Sequence, residues 1–229
     1  MGSEMCIRDS YQDLQVARVR RYLPAALMPV QSVAWLDQAL LAGSATGDVV
    51  WRGALSRFPF DAGEGLFEAR FRIDGAVVDY TPGWPRLEDG KLAVTFRNRA
   101  LRVETEAGRL LDSAVEHLVV RIDDLAEATV KVEGRAKGPG ATMWQAFQNS
   151  PAGRALGEEL PDLRIDGAAT LNLDLAIPLD PRPNQIQGTV ELAGNKLRLP
   201  VWEIGLDSVR GEVRFTDNDL AAENIQALW

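Results

Sequence analysis

Hydrophobic and polar side chains alternate along much of this chain. In the stretch FEARFRIDGAVVDYTPGWP, the residues Phe67, Phe71 and Ile73 fall on one side of an extended backbone, and the charged residues between them fall on the other. The same alternation recurs in KLAVTFRN, ATLNLDLAIPL, IQGTVEL and GEVRFTD, each bounded by Gly, Pro, Asn or Asp. Such strands, separated by turn residues, are typical of an antiparallel meander. The pattern therefore predicts a mainly β fold with a long antiparallel sheet.

Two segments have helical periodicity instead. In PAALMPVQSVAWLDQALL, apolar residues recur at three- and four-residue steps, and Gly43 suits a C-terminal cap. Because proline is favoured in the first helical turn, we predict a helix that begins at Pro29 and spans about 29–42. A shorter helix is predicted at 141–150, where it ends before Pro151. The expected fold thus has one or two short helices packed on the sheet or at its edge.

The C-terminal stretch repeats an earlier stretch without gaps. At a constant offset of 119 residues (194 minus 75), identical residues coincide: Gly75 with Gly194, Leu87 with Leu206, Val94 with Val213, Phe96 with Phe215, Leu101 with Leu220 and Glu104 with Glu223. This correspondence predicts a strand-turn-strand unit that is used at least twice in a longer array.

Composition and charge narrow the choice of function. The chain has 229 residues, of which 46% are hydrophobic and 25% charged, which is ordinary for one large or two modest folded domains. Its net charge is -8, and its basic residues alternate with acidic ones rather than cluster, so we expect no nucleic-acid partner. No apolar run approaches the roughly 18 to 20 residues of a membrane-spanning helix.

The two ends of the chain indicate that it is a piece of a longer protein. The first ten residues, MGSEMCIRDS, show no periodicity and look like a translated sequencing-adapter fragment, so we interpret residues 1–10 as non-native. Cys6, the only cysteine, lies among them, which leaves the remaining chain without thiols for disulfides or metal sites. The final residues, NIQALW, stop without a turn or polar tail. We therefore expect an internal fragment whose anchor or signal lay upstream.

The sequence offers no set of residues arranged for catalysis. His117 is the only histidine, and no cysteine, second ligand or nucleophile elbow accompanies it, so a structural role is favoured. The acidic pairs at 123–124 and 158–159 lack the regular oxygen-ligand spacing of a cation loop. The glycines of GRAKGPG lack the dipeptide that completes a phosphate-binding loop. We predict neither enzyme activity nor a metal or cofactor.

Several motifs, in this order, resemble the AsmA-like family and, within it, the large YhdP-type proteins of Gram-negative envelopes. The most telling are WLDQAL, RGALSRFPF with its following GLF, and DYTPGWPRLEDG, after which come GRAKGPGATMWQAFQNSPAG and LDLAIPLD. The resemblance covers roughly Tyr22 to Asp180. We accordingly divide the chain into a YhdP-type region at 11–180 and a further strand unit at 181–229, which continues the array and is truncated at its C-terminus.

The resemblance carries expectations about fold and function. Proteins of this type are described as long periplasmic rods, anchored in the inner membrane, whose strands curl into an apolar groove and which are implicated in moving phospholipid toward the outer membrane. It thus implies a curved, groove-like sheet, a periplasmic location and phospholipid acyl chains as partners. It also implies attachment to the inner membrane through an anchor that this chain lacks.

A single curved sheet has no second sheet to bury its apolar face, and a large uncovered apolar surface is rare unless something binds it. Each methylene group removed from water gains about 0.8 kcal/mol, so a chain of sixteen carbons could gain on the order of 10 kcal/mol along a groove. The candidate groove residues are Phe67, Phe71, Ile73, Val78, Tyr80, Leu92, Val94, Phe96, Leu171, Leu173, Leu175, Val190, Leu192, Val213 and Phe215. Alternation identifies a buried face without naming what buries it. The alternative is therefore a structural β-rich spacer in which the same residues form a self-contained core.

Overall fold

The fold is mainly β, as predicted. A computed structural model describes residues 5–16, 38–80, 84–126, 129–149, 162–178 and 180–229. Its strands are β1 (Met5–Gln15), β2 (Leu40–Gly53), β3 (Leu66–Val78), β4 (Leu87–Arg97), β5 (Ala100–Leu110), β6 (Ser113–Ile122), β7 (Thr129–Pro139), β8 (Arg164–Asp166), β9 (Ala168–Pro178), β10 (Gln185–Leu199), β11 (Ile204–Thr216) and β12 (Leu220–Leu228). The α-helix that lies wholly within the described ranges is α1 (Gly140–Asn149), and short 3-10 turns lie at Leu55–Arg57 and Pro200–Trp202.

The twelve strands form one open antiparallel sheet. The order is β1-β2-β3-β4-β5-β6-β7-β9-β10-β11-β12, and the short β8 pairs with β10 beside this path. Almost every strand therefore neighbours the strand that precedes it, which is the meander that the alternating pattern predicts.

One face of this sheet is apolar across most of its strands. Residues that pair directly across antiparallel strands point to the same face. One row of such pairs passes from β3 to β10 through apolar side chains only: Phe71, Val94, Val103, Val120, Val132, Leu175 and Ile186. The neighbouring row, which points the other way, includes Arg70, Thr95 and Arg102. We call these two surfaces the apolar face and the polar face.

Irregular positions bend the sheet along one side. Register shifts interrupt the pairing of β1–β2, β2–β3, β3–β4 and β4–β5. They lie on the same side of the sheet, at the C-terminal end of β1 and β3 and at the N-terminal end of β2 and β4. Each of the first four strands has a residue with positive φ at its shift: Asp13, Gly43, Gly75 and Asp89. Because a β-bulge adds bend and twist to its strand, a row of bulges in adjacent strands curves the sheet.

The position of Trp84 demonstrates the curvature. This residue lies in the connection from β3 to β4, yet it packs against a cluster of β9–β11 residues that contains Leu175, Ile186 and Phe215. Four strand steps separate β4 from β9 in the sheet order, which would be about 19 Å in a flat sheet. The sheet therefore curls so that distant strands approach the same connection.

The predicted repeat is also a structural repeat. At the offset of 119, β3–β5 correspond to β10–β12, and the pairs Phe71–Val94 and Val78–Leu87 correspond to Val190–Val213 and Leu197–Leu206. The bulges correspond as well, since φ is positive at Gly75 and Gly194 and again at Asp89 and Ser208. We call β3–β5 the first unit and β10–β12 the second unit.

Helix α1 lies where the second predicted helix, 141–150, was expected, although residue 150 lies outside the described residues. Most of the first predicted helix, 29–42, also lies outside them. Residues 38–39 are helical, but β2 begins at Leu40, so the predicted end at Ala42 is wrong. Leu40 and Ala42 instead pair with Val78 and Val77 of β3, which satisfies their backbone groups within the sheet.

Residues 5–10, interpreted as non-native, belong to β1 and pair with 48–53 of β2. Their origin stays a prediction.

Candidate functional site

The predicted groove residues come together on the apolar face, but they fall into two groups. Some are buried by the chain itself: Phe67, Ile73, Leu92, Phe96, Leu175, Leu192 and Phe215. Others are half-buried: Phe71, Val78, Tyr80, Val94, Leu171, Leu173, Val190 and Val213. Tyr80 lies beyond the end of β3, in the connection to β4, where its ring contacts Trp84 at a centroid distance of 6.3 Å. Only the second group has apolar surface left for a ligand.

Aromatic side chains close the apolar face over the first unit. The connection from β2 to β3 folds back so that the ring of Phe60, 2% exposed, lies 5.4 Å from Trp51, while Phe58 stacks on Trp51 at 5.5 Å. We call Trp51, Phe58 and Phe60 the aromatic plug. Gly65 makes room for it, because a Cβ atom there would lie 2.4 Å from the Phe60 ring. The indole nitrogen of Trp51 donates a hydrogen bond to the Gly53 carbonyl at 3.1 Å, so the buried donor is satisfied.

A salt bridge attaches the same connection to the sheet. The Arg99 guanidinium donates to both carboxylate oxygens of Asp61, at 2.8 and 2.7 Å. These hydrogen bonds, and then the charge of Arg99, hold the pKa of Asp61 below its usual value. Asp61 is exposed, so water screens the pair, and its role is to orient the connection rather than to supply much stability.

Helix α1 closes part of the apolar face near the second unit. Phe147 meets Phe215 edge-on at 5.4 Å, and Trp144 stacks on Phe147 at 5.5 Å. Met143 packs against a second cluster that contains Leu192. The helix begins at Gly140, whose backbone nitrogen donates to the Gly167 carbonyl at 2.8 Å, so its start is attached to the chain that joins β8 and β9.

Between these two covers runs a strip of half-buried apolar side chains. We define the central strip as Phe71, Val94, Val103, Val120, Val132, Leu173, Val190 and Val213. Sequence reasoning missed Val103, Val120 and Val132. The signal was present, because these valines alternate with charged residues in LRVETE, VVRI and VKVE.

Two glycines shape the middle of the central strip. Leu173 of β9 pairs with Gly134 on one side and Gly188 on the other. A Cβ atom at Gly134 would lie 2.9 Å from Leu118, and one at Gly188 would lie 2.5 Å from the ring of Phe215. The missing side chains therefore let Leu118 and Phe215 lean toward Leu173, which makes the surface continuous.

The polar face has a shallow depression of a different character. Its lining includes His117, Arg135, Asn172 and Arg214. Both arginines already have carboxylate partners: Glu116 at 3.0 Å and Glu191 at 3.6 Å for Arg135, and Glu223 at 3.5 Å and Glu212 at 3.6 Å for Arg214. His117 is exposed on this face, and its structural role stays a prediction. In the part of the chain that the structure describes, no group of three or more His, Cys, Asp or Glu residues is placed to hold a metal ion.

The molecule is thus an open, curved β-sheet protein with one polar face and one apolar face, the latter covered in part by its own side chains. The chain matches the family model described as YhdP protein over residues 2–229, and it belongs to that family, which confirms the resemblance seen in the motifs. It is 29% identical over 210 residues to the intermembrane phospholipid transporter YhdP of Escherichia coli (strain K12). That match covers 91% of this chain and 17% of the relative. No solved structure matches the chain. No helix within the described ranges is long and apolar enough to cross a membrane.

Proposed function

We propose that this chain is a lipid-binding segment of a phospholipid-transporting envelope protein, and that acyl chains lie along its central strip. The observation that carries the proposal is the strip itself: a row of apolar side chains, left half-buried between the aromatic plug and helix α1. The name of the relative as a phospholipid transporter supports the same ligand.

The dimensions of the strip suit an acyl chain. From β3 to β11 the sheet order contains seven strand steps, which amount to an arc on the order of 34 Å. The hydrocarbon core of a bilayer is about 30 Å thick and contains two opposed acyl layers, so one acyl chain needs about 15 Å. Such a chain would cross about three strand steps. The strip therefore has room for more than one position, as lipid movement along it requires.

This role needs no catalysis. The free energy comes from removing methylene groups and half-buried side chains from water, and this gain is much the same at each position along an apolar strip. A lipid can thus shift between neighbouring strands without forming specific bonds. The proposal places the segment in the periplasm, in a parent protein that is attached to the inner membrane.

A paired substitution tests the proposal. Leu173→Asp puts a charge into the central strip, and Thr189→Asp puts the same charge on the polar face, between Asn172 and Arg214. Native mass spectrometry of the chain, purified from a periplasm, should find phospholipid with the original sequence and with Thr189→Asp. It should find none with a folded Leu173→Asp variant. Phospholipid retained by that folded variant would contradict the proposal.

A structural spacer remains the second candidate, because Phe67, Phe96 and Phe215 are already buried by the chain itself. If the sheet is only a scaffold with a closed core, the original chain should purify without lipid. Leu173→Asp should then unfold it, since an unpaired buried charge costs several kcal/mol against a total stability of about 5 to 15 kcal/mol. Circular dichroism of the two variants distinguishes these outcomes.

A further inference from the structure

The indole nitrogen of Trp144 is a buried donor. It exposes less than 1 Å² of surface and has no hydrogen-bond partner among the residues that the structure describes. Buried tryptophan N–H groups normally have an acceptor, as Trp51 does in the aromatic plug, where it donates to the Gly53 carbonyl. A buried donor without a partner costs free energy, so its presence beside an apolar face calls for an explanation.

The surroundings of Trp144 connect it to the proposed lipid surface. Its ring stacks on Phe147, and Phe147 packs edge-on against Phe215, which belongs to the apolar face. Phe147 also packs in the cluster with Leu171, Leu173 and Val190, three candidate groove residues. The Trp144 ring is therefore joined, through Phe147, to the surface on which we place acyl chains.

The same surroundings indicate which kind of acceptor fits. Helix α1, GATMWQAFQN, contains no charged residue, and the side chains that it sets against the sheet are apolar. A charged phosphate oxygen would lose its water here, and α1 offers no cation in exchange. A neutral carbonyl oxygen loses much less on leaving water and needs only one donor. In a diacyl phospholipid, the ester carbonyls lie where the acyl chains join the glycerol.

We propose that Trp144 donates a hydrogen bond to an ester carbonyl of a diacyl glycerophospholipid whose acyl chain lies on the apolar face. This inference rests on the proposed function and adds a fixed point to it. An otherwise uniform apolar surface gives a lipid no preferred position along the sheet. A single donor at α1 defines where the acyl chain begins. Trp144 thereby distinguishes ester-linked lipids from ether-linked lipids. The ether-linked lipids can have the same hydrocarbon chains, but they have no carbonyl group at the glycerol.

A competition between two lipids tests this assignment. The chain is incubated with equal amounts of diacyl phosphatidylglycerol and its dialkyl ether analogue of the same chain length, and the bound ratio is measured by native mass spectrometry. The original sequence should retain the diester about two- to tenfold better, the range expected for one neutral hydrogen bond. Trp144→Phe should bind both lipids equally. Trp202→Phe, which changes an exposed tryptophan, should keep the original ratio.

The outcomes separate this inference from the proposed function. Equal retention of both lipids by the original chain, or an unchanged preference in Trp144→Phe, overturns the hydrogen bond and leaves lipid binding intact. Absence of both lipids from the original chain overturns the two proposals together. Should Trp144→Phe not fold, the indole 15N–H resonance of Trp144 in the original chain decides. It should move downfield with the diester alone, and the same shift with the ether analogue would overturn the assignment.

Discussion

The first and second units share a backbone plan and differ in what covers their apolar faces. Their pairs occupy corresponding positions, and their bulges fall at corresponding residues, Gly75 with Gly194 and Asp89 with Ser208. The covers are unrelated. The first unit is covered by the aromatic plug, which combines Trp51 of β2 with two rings of the connection to β3. The second unit is approached by helix α1, which follows β7.

One pair of corresponding residues makes the difference concrete. Phe96 and Phe215 occupy the same position in their units, and both are buried. The ring of Phe96 contacts Phe67 of the neighbouring strand at 5.3 Å, whereas the ring of Phe215 contacts Phe147 of the helix at 5.4 Å. The repeated strands thus provide an apolar face, and segments outside the two units determine how much of it stays open. An array built in this way can extend its surface without repeating its covers.

The largest effect should come from removing a ring from each cover. Phe60→Ala should lower the free energy of unfolding by about 3 to 5 kcal/mol, because Phe60 is almost wholly buried among Trp51 and Phe58. Phe147→Ala should cost about half as much, since Phe147 is half-buried on its helix. Urea denaturation measures both values. If Phe147→Ala were the more destabilising change, α1 rather than the aromatic plug would be the tighter cover.

A buried amide provides the next test of how the units differ. Asn195, 2% exposed, corresponds to Ala76, 1% exposed. The Asn195 side chain accepts from the Ala193 backbone nitrogen at 2.9 Å and donates to the carbonyls of Asp166 and Ala168 at 3.1 and 3.0 Å. Asn195→Ala should therefore cost about 1 to 3 kcal/mol, because it removes the three hydrogen bonds that this buried amide makes.

The control for this prediction is Asn172→Ala. Asn172 lies half-buried on the polar face, where its amide donates to the side chains of Thr189 and Glu191 and where water can replace it. Its replacement should cost less than that of Asn195. Equal losses in urea denaturation would mean that Asn195 does not connect β8 and β9 to the second unit.

The bulges that the units share should respond alike, but not identically. At Gly75 and Gly194 an added Cβ atom would meet no other atom within 4 Å, so Gly→Ala tests backbone strain alone. Each change should cost about 1 to 2 kcal/mol. Replacing each glycine by asparagine instead of alanine should recover more of this stability at Gly75 than at Gly194. The reason is that asparagine tolerates the left-handed region near a φ of 57°, and φ is 63° at Gly75 but 104° at Gly194. Full stability in both alanine variants would show that the bulges relax without glycine.

The sequence predicted the strands and the repeat better than it predicted the covers. Alternation in each strand follows directly from which side chains face water, so Phe71, Val94 and Val213 were placed on one face from pattern alone. The aromatic plug could not be predicted in this way, because Phe60 belongs to an irregular connection with φ of 66° and is buried only by the curl of the chain. Helix α1 was predicted, but its contact with Phe215 joins segments far apart in sequence, and local periodicity contains no information about such contacts.

The last predicted effect depends on pH and concerns the connection that links the two units. Burial, and then the charge of Asp79, raises the pKa of Tyr80 to about 12, and the Tyr80 ring contacts Trp84, which reaches the Leu175 and Phe215 cluster. Because the folded pKa exceeds the ordinary value of 10, the neutral phenol stabilises the fold fully below pH 10, and this contribution is lost as the pH rises toward 12. Over that window the original chain should lose up to about 1.4 kcal/mol per pH unit more than Tyr80→Phe, measured by urea denaturation. Parallel curves for the two chains would show that Tyr80 is as accessible to water in the fold as in the unfolded chain.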